Sequence, residues 1–193
     1  MKTKEKIIRA AKEVLWKKGL AKSSIKDIYE TAGVSKMTFY RMFENKEDIA
    51  GKVIDLLFEE GMSRYRQIMS SGDSFQQKMA RVMEMKLEDT KNISPEFVME
   101  IYQKKGVLAE RMQLHSQKSM EAFIADIEKA KVEGWVDPQL NTAMIIYMIN
   151  QASNAMNDPQ LINLFPNIGE ALRQISAFYF HGICGKAPKN TES

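Results

Sequence analysis

The stretch AGVSKMTFYRMFENKEDI, residues 32–49, decides the fold. Gly33 can take the left-handed backbone that a tight turn between helices needs. Ser35 stands where a helix N-cap would, and predicts a third helix of about two turns, through Phe43. Asn45 with Asp48 three residues on starts a fourth helix, predicted to run to about Met69. Phe39 and Phe43 are four residues apart, so they share one helix face and can pack on neighbouring helices. Lys36, Thr38, Tyr40 and Arg41 are left on the other faces. Two short helices joined by a glycine turn form a helix-turn-helix, whose second helix enters the DNA major groove. The same pattern also serves as plain structural packing, so at this level both readings stand.

Upstream, Thr3 is a candidate cap for a first helix carrying Ile7, Ile8, Ala11, Val14 and Leu15, which Gly19 ends. Ser24 and Asp27 make a capping-box pattern for a short second helix with Ile25 and Ile28. Downstream, Ser70–Asp73 is a loop, and Phe75 to about Lys91 is a helix with the stripe Met79, Val82, Met83, Leu87. Pro95 opens a helix with Phe97, Val98, Ile101 and Tyr102. A long helix spans Val107 to about Lys131, and Glu133–Pro138 is a turn. Pro138 or its neighbour starts a helix to about Asn157. The last helical region runs from Pro159 to about Gly182. Strand signals are nearly absent, so the fold class is all-α.

The chain has 193 residues, 44% of them hydrophobic, which suits one medium domain or a small domain joined to a larger one. The net charge of +3 is unevenly spread. Residues 1–52 hold 13 Lys+Arg against 7 Asp+Glu, and the remainder 15 against 18. A basic first quarter on a mildly acidic body points to a polyanion at the N-terminal end, although a solvated lysine-rich surface gives the same count. Cys184 is the single cysteine, so no intrachain disulfide forms. Charged residues interrupt the N-terminal apolar positions, and the longest apolar run, residues 143–149, is far short of the roughly 20 a membrane helix needs. The expectation is a cytoplasmic protein.

The unpaired amides and dipole at helix starts attract phosphate, and each phosphate neutralised by Lys or Arg releases counterions. Ser23, Ser24, Tyr40 and Lys46 are therefore candidates for positioning on the backbone. Lys36, Met37, Thr38 and Arg41 are candidates for base edges.

Residues 7–53 resemble the DNA-binding domain of TetR-type (tetracycline-repressor-like) transcriptional regulators. The resemblance rests on Ser23-Ser24-Ile25, Asp27-Ile28, the run Ala32 to Lys36, then Thr38-Phe39-Tyr40, Phe43 and Asn45 to Asp48. Met37, Met42 and Tyr29 depart from the family's frequent choices. The resemblance implies a homodimer of about nine helices per chain, with the first three forming the DNA module. Residues 1–48 would be that module, and 49–188 a ligand-binding and dimerisation body whose last two long helices pair with those of the partner. Carried over by motif position, the DNA contacts are Ser24, Ser35, Lys36, Met37, Thr38, Tyr40, Arg41 and Lys46. Such proteins are usually repressors released from palindromic operators by a small molecule.

Within the body, Tyr147, Asn150, Gln151 and Asn154 follow helical spacing on an apolar segment, and Tyr147, Gln151 and Asn154 roughly share a face. Ligand or dimer seam are equal readings of that face. Phe97, Tyr102, Met112, His115, Met120 and Phe123 are further pocket candidates, and most of the 14 methionines suit either an adaptable pocket or ordinary core. No charged residue is clearly placed inside, so a largely apolar effector is expected. His181 and Cys184 have a spacing that could hold a metal, but too few further ligands exist to close a site. The expectation is no metal, no cofactor and no enzymatic activity. The alternatives are a regulator controlled by protein contacts without an effector, or a helical enzyme, for which two histidines and one cysteine leave little to build from.

Overall fold

A computed structural model describes residues 2–90, 106–155, 158–166, 170, 171, 174, 175 and 178. Every regular element among them is a helix: α1 Thr3–Lys22, α2 Ile25–Thr31, α3 Lys36–Tyr40, α4 Lys46–Met69, α5 Phe75–Thr90, α6 Val107–Val132, α7 Thr142–Ala155 and the single turn α8 Pro159–Ile162. The expected helix through Phe97 and Tyr102, and most of the region to Gly182, lie outside the described residues. The chain forms two compact units, Met1–Arg64 with Glu88–Ser119, and Tyr65–Leu87 with Met120–Ser193.

The first unit is built on the apolar stripe of α1. Ile7, Ala10, Ala11, Val14 and Leu15 are buried with Ile28 of α2, Phe39 and Phe43, and Ile49, Ala50, Val53 and Ile54 of α4. The spacing of three and four residues along α1 and α4 aligns these side chains on one face each. Gly19 breaks α1 with φ 76 and ψ 170, as its position predicts. Thr3 does not cap α1: it is the first helical residue, and Lys2 at the N-cap makes no side-chain cap bond. The reason is that a helix start can be left to solvent where the exposed amides meet water.

The second and third helices are fixed by local chemistry. Ser24 Oγ accepts from the Asp27 amide at 3.1 Å, while the Ser24 amide donates to Asp27 Oδ2 at 2.9 Å, a complete capping box. Ser35 Oγ accepts from the Thr38 amide at 3.1 Å. Between them Gly33 has φ +59, a region that costs an L-residue roughly 1–2 kcal/mol. α3 is shorter than the spacing predicts. It ends at Tyr40, after which the Met42 and Phe43 amides both donate to the Phe39 carbonyl, at 2.9 and 3.0 Å. That tight turn keeps Phe43 beside Phe39, with ring centroids 5.5 Å apart. Asp48 donates its amide to Asn45 Oδ1 at 2.9 Å, starting α4 where the sequence places it.

The second unit buries Tyr65, Ile68, Phe75, Met79, Val82, Met83, Ile127, Ala130, Val136 and Ile145. Ser74 and Gln77 form a further capping box for α5, bonded at 2.9 and 3.3 Å. α7 starts at Thr142, not near Pro138, because Asn141 Oδ1 accepts from the Met144 amide at 3.2 Å and supplies the cap. The α6–α7 link is pinned by Lys131, whose ammonium donates to Thr142 Oγ1 at 2.5 Å.

Two substitutions check this account by chemical denaturation. Phe39, fully buried, is expected to lose about 3–5 kcal/mol as alanine. Gly33→Ala is expected to lose about 1–2 kcal/mol through backbone strain alone, since the added Cβ would meet its nearest neighbour, Lys6 Nζ, at an unstrained 3.5 Å.

Candidate nucleic-acid interface

The local rules that make α3 also divide its side chains. Phe39 is buried and Phe43 nearly so, while Met37 is 82% and Tyr40 48% exposed. Ser35, Lys36 and Arg41 are exposed with them, and Thr38 is half-buried. Burial of two rings therefore holds the helix, and the remaining positions form an outward face. Phe39 and Tyr40 meet edge to face at 5.5 Å, which orients the tyrosine from beneath. Lys36 Nζ lies 6.0 Å over the Tyr40 ring. Thr38 Oγ1 and Ser35 Oγ are 2.9 Å apart, so both hydroxyls take part in the cap.

The flanking serines differ from each other. Ser23 is buried, and its hydroxyl donates to the Leu20 carbonyl at 2.9 Å, so it is committed to the end of α1. Ser24 is exposed at the start of α2. Lys46 has a structural task that spacing did not reveal. Its ammonium donates to the carbonyls of Leu20 at 2.6 Å and Ser23 at 3.0 Å, tying the start of α4 to the end of α1. An ammonium has three donors, so one is left over from these bonds.

Asp27 carries charge as well as geometry. A hydrogen bond from Lys18 and those from Ser24 hold its carboxyl down at about 2. Its ion pair with Lys18 spans 2.9 Å.

In the same unit α4 and α6 are joined by a polar network that sequence reasoning missed. Asp55 accepts from Arg111 Nη1 at 2.6 Å and lies 2.9 Å from His115 Nε2. The His115 ring stacks on Phe58 at 4.8 Å. Burial pushes the Asp55 carboxyl up, but the bonds from His115 and Arg111 outweigh it and the net direction is downward. Gly51 is the readable signal: a Cβ there would lie 3.2 Å from Arg111 Nε, so a close approach of the guanidinium favours glycine.

The pocket candidates divide. Met112 packs on the core of the first unit, where His115 also lies. Met120, Phe123, Tyr147 and Gln151 belong to the second unit. There Phe123 meets Tyr65 edge on at 6.5 Å, and the Tyr65 hydroxyl donates to Asp126 Oδ2 at 2.6 Å. Burial and that acceptor push the Tyr65 phenol strongly up. Tyr147 is 61% exposed, Asn150 is exposed and Gln151 half-buried. Phe97, Tyr102, His181, Cys184 and the Asn154 side chain lie outside the described residues and side chains. Among the described residues no group of three or more His, Cys, Asp or Glu could hold a metal. Nor is any described helix long and apolar enough to cross a membrane.

The family model described as bacterial regulatory proteins, tetR family, matches residues 7–53, the span from α1 to the first turns of α4. The head of the chain, residues 7–53, is thus TetR-like. The chain is 34% identical over 71 residues to the uncharacterized HTH-type transcriptional regulator YvdT of Bacillus subtilis, and 37% identical over 57 residues to the HTH-type transcriptional regulator TtgR of Pseudomonas putida. These matches span 37% of YvdT and 27% of TtgR, well under two thirds of either relative. The fold likeness extends further. FadR of Bacillus subtilis, solved in complex with stearoyl-CoA, superposes with a TM-score of 0.74 at 20% identity, covering 93% of this chain and 98% of that one. A TetR-family regulator from Cytophaga hutchinsonii superposes with 0.74 at 18% identity, covering 96% of both chains. The likeness of fold thus extends beyond the matched head.

The Asp27 carboxyl gives this TetR head a testable pH response. A depressed folded pKa means its contribution is present above the ordinary carboxylate range near 3.8 and is lost as pH falls toward about 2. Thermal unfolding of wild type and Asp27→Ala should therefore differ most above pH 4 and converge by about pH 2.

Proposed function

We propose that the protein is a ligand-responsive homodimeric DNA-binding regulator, a repressor released from a palindromic operator by a small, largely apolar effector. Residues 1–48 act as the DNA module and 49–188 as the ligand-binding and dimerisation body. The observation that carries the reading is the division of α3. Phe39, with Phe43 just beyond the helix, is buried in the first unit's core, while Lys36, Met37, Tyr40 and the C-cap Arg41 stand outward after a glycine turn.

In this reading Ser24, Ser35, Tyr40 and the remaining donor of Lys46 fix the head on phosphates. Lys36, Met37, Thr38 and Arg41 meet base edges, Met37 through apolar contact with a thymine methyl and Arg41 through hydrogen bonds to guanine. An exposed apolar face on α7, formed by Met144, Tyr147 and Met148 at three-and-four spacing, supports a seam with a second copy. On this reading Tyr147 lies at that seam. The Asp55–Arg111–His115 network supports coupling, since it lets α6 act on α4, the helix that follows the DNA module. An effector then shifts α4 and takes two reading helices out of register with successive major grooves. The stearoyl chain of the ligand held by a protein of similar fold is apolar, which supports an effector with a large apolar part.

Selection of sites from a random duplex pool, followed by affinity measurements, tests the reading. Arg41→Ala and Lys36→Ala should relax base preference, by about 1–3 kcal/mol at a bidentate position. Tyr40→Phe and Lys46→Met should weaken selected and unselected duplexes alike. Identical site profiles for wild type and the Arg41 and Lys36 variants would remove α3 from base readout. Sedimentation of Tyr147→Asp should show a shift from dimer toward protomer, and an unmoved dimer would exclude α7 from the seam.

A further inference from the structure

The cations of the basic head fall into two populations. Arg9, Lys12, Lys17, Lys18, Lys26 and Lys52 are each in an ion pair with a carboxylate. Lys46 is spent largely on the carbonyls of Leu20 and Ser23. Lys36 and Arg41, on the outward face of α3, have no carboxylate partner among the described residues; Lys2 and Lys22 share that condition, and so do Lys4 and Lys6. Both lie in the first turn of α1, and both are exposed.

Their position is what gives them a use. Lys6 Nζ sits beside Gly33, 3.5 Å from where a Cβ would stand, at the turn that leads into α3. Lys4 Nζ lies 5.7 Å from the centroid of the Phe43 ring, at the turn that leaves α3. The two amines therefore bracket α3, one near each end. An anion the width of a nucleic-acid strand, lying along the flanks of this helix, meets them without any carboxylate having to be displaced. A cation already paired with Asp or Glu gives little on meeting a phosphate, because its charge is largely compensated. An unpaired one exchanges a condensed counterion for itself.

On the reading of the protein as a DNA-binding regulator, we propose that Lys4 and Lys6 are phosphate-binding positions that extend the interface from α3 onto the start of α1. They hold the sugar-phosphate backbone on either side of the groove that α3 enters. They add affinity and orientation, and no base preference. The partner is double-stranded DNA, recognised through its backbone charge.

The test uses the full chain and a fluorescein-labelled mixed-sequence duplex, with affinity measured by anisotropy across a salt series. Wild type should show log K falling linearly with log salt. Lys4→Gln/Lys6→Gln should show a slope shallower by about 1.8, two phosphates at about 0.9 each. The control is Arg9→Gln/Lys17→Gln, which removes the same net charge from the same helix at ion-paired positions, and its slope should stay within a fraction of one unit of wild type. Lys4→Arg/Lys6→Arg should restore the wild-type slope. Thermal unfolding of each variant separates a lost contact from a damaged head, since Gln keeps the aliphatic stem over Phe43. If the Lys4/Lys6 variant keeps the wild-type slope while Arg41→Ala still relaxes base preference, this inference fails and the regulator reading survives. Equal loss in the Lys4/Lys6 and Arg9/Lys17 variants also overturns it, because the effect is then net charge alone. If wild type binds no duplex at low salt, both fail together.

Discussion

Burial of Phe39 and Phe43 is the constraint on which the outward face of α3 depends. α3 is only Lys36–Tyr40, too short to persist as a helix without tertiary support. It exists because Ser35 starts it and because two rings, set against α1, α2 and α4, hold it. Once those rings face inward, helix geometry fixes where every other α3 side chain points. The outward face is thus a consequence of the core, and its residues are free to be chosen for what they contact.

Electrostatics is arranged on the same plan. Six cations of the head, Arg9, Lys12, Lys17, Lys18, Lys26 and Lys52, are paired with carboxylates from α1, α2 or α4. Exposed pairs of that kind contribute little stability each. Their larger effect is to leave the uncompensated positive charge concentrated around α3. Asp55 is placed differently. It is partly buried between a guanidinium and an imidazole, and both partners come from α6. Removing one partner would leave a partly buried charge short of a hydrogen bond, so this contact resists small rearrangement and favours motion of α4 and α6 as connected pieces.

Features set by local chemistry were legible in the sequence. The Ser24–Asp27 box, the Ser35 cap, Asn45 at the start of α4, the positive φ of Gly33 and the inward pairing of Phe39 with Phe43 all depend on residues within four positions of one another. What depends on distant partners was not legible. α3 ends early because Phe43 must turn into the core. Two local details also differ: α7 starts late because Asn141 supplies a cap that Pro138 does not, and Thr3 is not used as a cap. Lys46 reads as a free cation until the carbonyls of Leu20 and Ser23 are brought beside it by folding. The body residues show the same limit: His115 and Phe123 both look like pocket aromatics by composition, yet one stacks on Phe58 of α4 and the other meets Tyr65. Only the packing of neighbouring helices tells such cases apart.

The central claim is that α3 carries the outward face to DNA while its rings stay in the core. The most direct measurement is backbone amide NMR of the full chain titrated with a duplex selected for binding. The account predicts that the largest shift changes fall on Ser35 to Arg41 and on Ser24, with the amides of α5 and α7 little moved. Changes centred on α5 or α7 with Lys36 to Arg41 unaffected would contradict it.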